Sequence, residues 1–175
     1  MKDTPQTLAA ALPAVVVEYL TVEMAGQATC GSCDDTLTSL RSAIAAVEPL
    51  AADLGLQIRV EELAVRSHAQ ALEHEVVASP TIRSEGVVLA PAHVTGSEAR
   101  RWTWRGDLGP EPSRGQLIDL LLAALMSRSQ RLERFLASGG PDAYVRSHLL
   151  ATEPAAVPEP AAAAPAPAAA GGCCS

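Results

Sequence analysis

Hydrophobic and polar positions along the chain predict short strands that alternate with amphipathic helices. The segment from Val15 to Val22 is rich in β-branched residues, which is typical of a buried strand. Between residues 34 and 54, apolar residues recur at steps of three and four and therefore share one face of a helix. These residues are Leu37, Leu40, Ile44 and Val47. Leu56, Ile58 and Val60 then alternate with polar residues, which indicates a second strand.

Turn-forming residues mark the middle of the chain. Pro49 predicts a kink or a break in the last turn of the first helix, and Gly55 predicts its end. A short helix is expected over about Ser67 to Val77. Ser79-Pro80-Thr81-Ile82 predicts a turn into a third strand, and Ser84-Glu85-Gly86 predicts a hairpin turn before a fourth.

The segment from residue 90 to 112 is harder to assign, and it contains both tryptophans. Trp102-Thr103-Trp104 predicts a short extra strand, closed by Gly106, in which both rings point to one face and pack over the sheet. Ser113 is a helix N-cap candidate with Gln116 as its capping-box partner. The helix that follows is amphipathic and is expected to end at Gly139-Gly140.

The order of these elements predicts an α/β fold with a central mixed sheet of about four strands, flanked by helices on both faces. Residues 14–137 form the expected domain, and residues 138–150 form a short helix or loop. Residues 151–175 are rich in alanine and proline and end in Cys173-Cys174-Ser175. Such a composition cannot bury a specific core, so we expect a disordered, extended tail.

Charge and hydropathy limit the classes of partner. The net charge is −7, and the densest basic stretch is Arg100-Arg101 with Arg105 nearby. Because a nucleic-acid binder needs a basic patch to neutralise phosphates, nucleic acid is not an expected partner. No apolar run reaches the roughly 20 residues that span a membrane.

Four cysteines in two close pairs indicate reduced thiols in the cytoplasm rather than structural disulfides.

The motif that indicates a reactive site is Cys30-Gly31-Ser32-Cys33, which follows the first strand and begins the first helix. Two intervening residues at such a turn bring both sulfurs within disulfide distance. The helix N-terminus favours a thiolate, which is the nucleophilic form of cysteine. The same spacing also provides half of a zinc site, so the motif by itself leaves redox and metal chemistry open.

This motif, together with Ser79-Pro80-Thr81 before the third strand, resembles the thioredoxin superfamily over residues 14–137. Within it, Arg101-Trp102-Thr103-Trp104-Arg105-Gly106 and Leu117-Ile118-Asp119 are similar to a bacterial group of uncharacterised thioredoxin-like (seleno)proteins. The resemblance implies a thioredoxin-like three-layer sandwich. It also implies that Cys30 attacks a disulfide, that Cys33 resolves the intermediate, and that the bond before Pro80 is cis.

The motif also departs from the thioredoxin pattern. Thr29 replaces the tryptophan that usually precedes it, and no histidine lies between the cysteines. Asp34 and Asp35 place negative charge directly after Cys33, which partly offsets the helix dipole. We therefore expect a reducing or metal-binding dithiol rather than a strong oxidant.

Three functions stay open from the sequence. The first is a thiol-disulfide oxidoreductase that uses Cys30, Cys33 and Pro80, acts on protein or small-molecule disulfides and needs no cofactor. The alternative is a heavy-metal or metalloid binding or transfer protein, in which thiolates hold a soft ion such as Hg, As, Zn or Cu. Its ligands would be Cys30, Cys33, Cys173 and Cys174. The third is an interaction module without redox turnover.

Overall fold

The computed structural model describes residues 12–24, 26, 31–94 and 99–152. A four-stranded mixed sheet lies at its centre, with the strand order β2-β1-β3-β4. Its strands are β1 Ala14–Val22, β2 Gln57–Val65, β3 Thr81–Ser84 and β4 Val87–Leu89. β1 pairs with β2 in parallel and with β3 in the antiparallel sense, and β3 and β4 form a hairpin. The predicted α/β class with a mixed four-stranded sheet is confirmed.

Two long helices cover one face of this sheet. They are α1 Gly31–Asp53 and α3 Arg114–Ala137, and they pack against each other. α1 also packs against β2, and α3 packs against β1 and β4. The apolar side chains at their interface are fully or nearly fully buried and form one core cluster with Val15, Val17 and Tyr19 of β1. From the helices this cluster takes Leu37, Leu40, Ala43, Val47, Ala51, Leu117, Leu120, Leu121, Ala124 and Leu125.

The opposite face of the sheet meets a shorter helix, α2 His68–Glu73. Side chains alternate along a strand, so Glu18 points away from the face that holds Val17 and Tyr19. Arg83 lies opposite Glu18 in the β1–β3 pair, forms an ion pair with it, and donates from Nη1 to the carbonyl of His74 at 2.6 Å. The C-cap residue of α2 thus contacts a side chain on the second face of the sheet.

Pro49 lies inside α1 and does not end it, which corrects the break predicted there. The proline removes the N–H that would bond to the carbonyl of Ala45, but both residues are exposed and water can satisfy that carbonyl. Val47 and Ala51, on either side of the proline, are buried in the core and hold the last turns in place. The helix ends at Asp53, and Gly55, two residues later, has the predicted left-handed backbone with φ +68°.

A second, three-stranded sheet occupies the segment that the sequence assigned least clearly. Its strands are β5 Pro91–His93, β6 Arg100–Trp104 and β7 Asp107–Gly109, in the order β5-β6-β7. The predicted strand at Trp102–Trp104 is thus confirmed as part of β6, whereas β5 and β7 were not predicted. Arg105 and Gly106 form the turn between β6 and β7 with φ of +48° and +96°. Both rings pack against the core cluster as expected, Trp102 buried and Trp104 half-buried.

The start of α3 follows the predicted capping box. Ser113 Oγ accepts a hydrogen bond from the backbone N–H of Gln116 at 3.2 Å, and Gln116 Oε1 accepts from the N–H of Ser113 at 2.9 Å.

We expect Ser113→Ala to lower the free energy of unfolding by about 1 kcal/mol, because an N–H of the first turn loses its acceptor. Urea denaturation measures the change. Gln130→Ala, an exposed change within the same helix, is the control and should stay within about 0.5 kcal/mol. Equal values for the two variants would contradict this role of the cap.

The short helix expected after residue 138 is also present, as α4 Ala143–Thr152. It belongs to a compact unit separate from the one that contains both sheets. Asp142 Oδ1 accepts from the backbone N–H of Tyr144 at 2.8 Å and so caps its first turn. The tail was predicted to begin at residue 151, but residues 151 and 152 belong to α4; the rest of the predicted tail, from residue 153 onward, lies outside the described residues. Among the helices in the described ranges, none is both long and apolar enough to cross a membrane.

Candidate functional site

Cys33 occupies the first turn of α1, as the motif predicts. Its side chain is buried, with 2% of the residue exposed. Cys30 comes directly before Gly31, the first residue of α1, and lies outside the described residues, as do Cys173 and Cys174. Among the four cysteines, the structure therefore shows the surroundings of the Cys33 sulfur.

Tyr19 of β1 holds this first turn against the sheet. Its hydroxyl donates to the carbonyl oxygen of Cys33 at 2.6 Å. A buried tyrosine hydroxyl needs a hydrogen-bond partner, and the ring of Tyr19 is fixed within the core. The position of Cys33 relative to the sheet is thereby set by a rigid strand rather than by a loop.

The Ser79–Pro80 segment lies directly beside the cysteine. Ser79 Oγ is 4.0 Å from Cys33 Sγ, and it also accepts from the backbone N–H of Val22 at 3.0 Å. Both Ser79 and Pro80 are buried, and the peptide bond between them is cis. The structure thus brings Cys33 beside Ser79, the residue directly before Pro80, at the carboxyl end of β1, although 46 positions separate the two.

Arg100 is a site residue that the sequence did not indicate. Its Nη1 donates to Cys33 Sγ at 3.6 Å and to Ser32 Oγ at 3.0 Å. In the sequence Arg100 stands out only as half of a basic pair, 67 positions from Cys33. Its proximity to the thiol depends on the second sheet, which brings the start of β6 next to the first turn of α1.

Among the described residues, the sulfur of Cys33 contacts the Ser79 hydroxyl and the Arg100 guanidinium. A nearby cation stabilises a thiolate, whereas burial in apolar surroundings disfavours it. The two aspartates that follow the motif are both exposed. Within the part of the chain that the structure describes, the charged group in hydrogen-bond contact with this sulfur is the cationic guanidinium of Arg100.

A cluster around Trp104 connects the β6–β7 hairpin to α3. Trp104 Nε1 donates to Asp119 Oδ2 at 2.5 Å, and Arg105 Nε forms an ion pair with the same oxygen at 3.1 Å. The Arg105 guanidinium also lies 5.6 Å from the centre of the Trp104 ring, within cation–π distance. These residues belong to the segments that carry the resemblance to the thioredoxin-like (seleno)proteins. In the structure they anchor the strand that supplies Arg100.

The metal-binding alternative depends on four thiols. Of its four thiols, the structure describes Cys33. Within the described ranges, no group of three or more histidine, cysteine or acidic side chains is arranged to hold a metal ion. A ligand set made of Cys30, Cys33, Cys173 and Cys174 stays a prediction from the sequence.

A family model described as a domain of unknown function (DUF2703) matches residues 15–100, just under half of the chain. The matched region begins in β1, includes Cys30, Cys33 and Pro80, and ends at Arg100. The chain is therefore similar to that family over all the residues assembled around the Cys33 sulfur. No curated protein and no solved structure matches the chain.

Proposed function

We propose that the protein is a thiol-disulfide oxidoreductase with a thioredoxin-like domain, in which Cys30 attacks the substrate and Cys33 resolves the intermediate. The observation that carries this proposal is the 4.0 Å distance between Cys33 Sγ and Ser79 Oγ. It means that a cysteine in the first turn of a helix faces the residue directly before Pro80. That juxtaposition is the one that the thioredoxin resemblance implies.

The burial of Cys33 supports the division of roles between the two cysteines. A sulfur in a residue that is 2% exposed is inaccessible to the disulfide of a folded protein substrate. It is suited to attack a sulfur presented from its own chain, three positions earlier. The first attack on the substrate therefore falls to Cys30, and Pro80 shapes the groove in which an extended substrate lies.

The proposed reaction balances without a cofactor. The Cys30 thiolate attacks one sulfur of the substrate disulfide, a mixed disulfide forms, and the other substrate sulfur leaves with the electron pair and takes a proton. The Cys33 thiolate then attacks Cys30 Sγ, the Cys30–Cys33 disulfide forms, and the second substrate sulfur leaves as a thiolate. The substrate is reduced and the dithiol is oxidised. An external thiol such as dithiothreitol restores the dithiol.

The substrates we propose are protein or small-molecule disulfides, and the compartment is the cytoplasm. The substrates follow from the proposed dithiol chemistry. The compartment follows from the four cysteines, which form two close pairs rather than the scattered framework of a disulfide-bonded protein. The metal-transfer alternative is not proposed here, because its distinguishing thiols lie outside the described residues.

Reduction of insulin by dithiothreitol tests the proposal. The full chain should accelerate the precipitation of the insulin B chain over dithiothreitol alone. The matched control is the full chain with Cys173→Ser and Cys174→Ser, which keeps both motif cysteines and should retain the rate. No acceleration by the full chain would contradict the proposed function. Loss of the rate in the control variant would place the tail cysteines in the reaction and favour a four-thiol mechanism.

A further inference from the structure

The sulfur of Cys33 lies against a guanidinium from another part of the chain. Arg100 Nη1 lies 3.6 Å from Cys33 Sγ and donates to it. We propose that Arg100 is a further catalytic residue of this site: its guanidinium stabilises the negative charge on Cys33 Sγ while that sulfur attacks Cys30. This inference rests on the function proposed above and adds to it a residue outside the dithiol motif.

The resolving step needs a positive charge beside its thiolate more than the first attack does. Cys33 is buried, so forming its thiolate costs desolvation free energy that an exposed thiol does not pay. The Ser79 hydroxyl is a neutral neighbour and offers a dipole alone. A guanidinium in contact with the sulfur offsets the desolvation, and its charge does not change in the accessible pH range.

The geometry also fixes the direction of the guanidinium. The same Nη1 donates to Ser32 Oγ at 3.0 Å, so the group spans two consecutive residues in the first turn of α1. The strand that supplies it is anchored to α3 through Trp104 and Asp119. A preorganised cation of this kind needs little rearrangement when charge develops on the sulfur.

In the step itself, the Cys33 thiolate attacks Cys30 Sγ, the Cys30–Cys33 bond forms, and the bond from Cys30 to the substrate sulfur breaks. The electron pair leaves with the substrate thiolate. Arg100 exchanges no proton and no electron in this step. The guanidinium contacts Cys33 Sγ, so its larger effect is expected on the rate of resolution.

Single-turnover reaction with dithiobis(nitrobenzoate), an aromatic disulfide with a coloured thiolate, separates the two steps. The attack by Cys30 releases the first thiolate, and resolution by Cys33 releases the second. The reaction is followed by stopped flow on the full chain with Cys173→Ser and Cys174→Ser, so that the signal comes from the motif cysteines.

In that background we expect Arg100→Ala to slow the second release by about three- to fourfold, because a cation in contact with a thiol raises the thiolate fraction by about tenfold and lowers the nucleophilicity of that thiolate by about threefold. The first release should change less than the second. Arg100→Gln keeps a hydrogen-bond donor without the charge and should be as slow as Arg100→Ala. Arg100→Lys keeps the charge and should recover part of the rate. Arg101→Ala, an exposed neighbour on the same strand, is the control and should behave as the parent.

The possible failures are distinguishable. If the parent protein does not release the second thiolate, the dithiol does not turn over, and both the proposed function and the role of Arg100 are wrong. If the parent releases both thiolates and Arg100→Gln does so at the same rates, the proposed function survives and the role of Arg100 is wrong. A lysine variant as slow as the glutamine variant would also overturn it, because charge would not be the cause.

Discussion

Replacing Trp102 with alanine should lower the free energy of unfolding by about 3–5 kcal/mol, the range for removing a large aromatic side chain from a core. Trp102 is 1% exposed, and it belongs to the cluster built by β1, α1 and α3. Its loss would leave a cavity between the second sheet and this core. Urea denaturation followed by far-ultraviolet circular dichroism measures the change.

Leu108→Ala is the matched control for this prediction. Leu108 lies in β7 of the same small sheet, but it is 65% exposed. Its truncation should change the free energy of unfolding by no more than about 0.5 kcal/mol. Similar values for both variants would mean that the second sheet adds no packing to the core.

The second large effect is expected at Cys33. We expect Cys33→Ser to turn the protein from a catalyst into a trap that holds its substrate through Cys30. Insulin reduction should fall by about 100-fold or more, because an adjacent thiol is replaced by a dilute external one. The mixed disulfide should accumulate and appear as a stoichiometric adduct in non-reducing mass spectrometry.

Cys30→Ser is the contrasting variant. It should lose activity to a similar extent but form no adduct, because the attacking sulfur is gone and Cys33 is buried. Both measurements are best made with the tail cysteines replaced by serine. An adduct in Cys30→Ser and none in Cys33→Ser would exchange the roles of the two cysteines. No adduct in either variant would argue against covalent chemistry at the motif.

The elements with strong local signals were predictable from the sequence. The β-branched run of β1, the apolar face of α1 and the capping box of α3 each follow from neighbouring residues, and all three are present in the structure. The turn at Glu85–Gly86 is likewise local, with both residues at positive φ. The break predicted at Pro49 was wrong, because packing on either side of an exposed proline outweighed its local preference.

The second sheet and its contribution to the site were not predictable in this way. β5 and β7 have three residues each, too few for an alternating pattern, and they contain Pro91 and Gly109, which disfavour strands. Contacts across a sheet are not visible in a local pattern. Arg100 contacts Cys33 because the second sheet places the start of β6 next to the first turn of α1, and no local pattern indicates this. The proximity of Cys33 to the segment of Pro80 was instead implied by a motif.

The position of Trp102 and α3 in the core has a practical consequence for cloning. The family match stops at residue 100, yet one of the largest core side chains and the five buried residues of α3 all come later in the chain. A fragment trimmed to residues 15–100 would expose the inner surface of α1 and the sheet to solvent, and such surface favours aggregation. Expression boundaries should therefore extend at least to Gly140, where the larger compact unit ends.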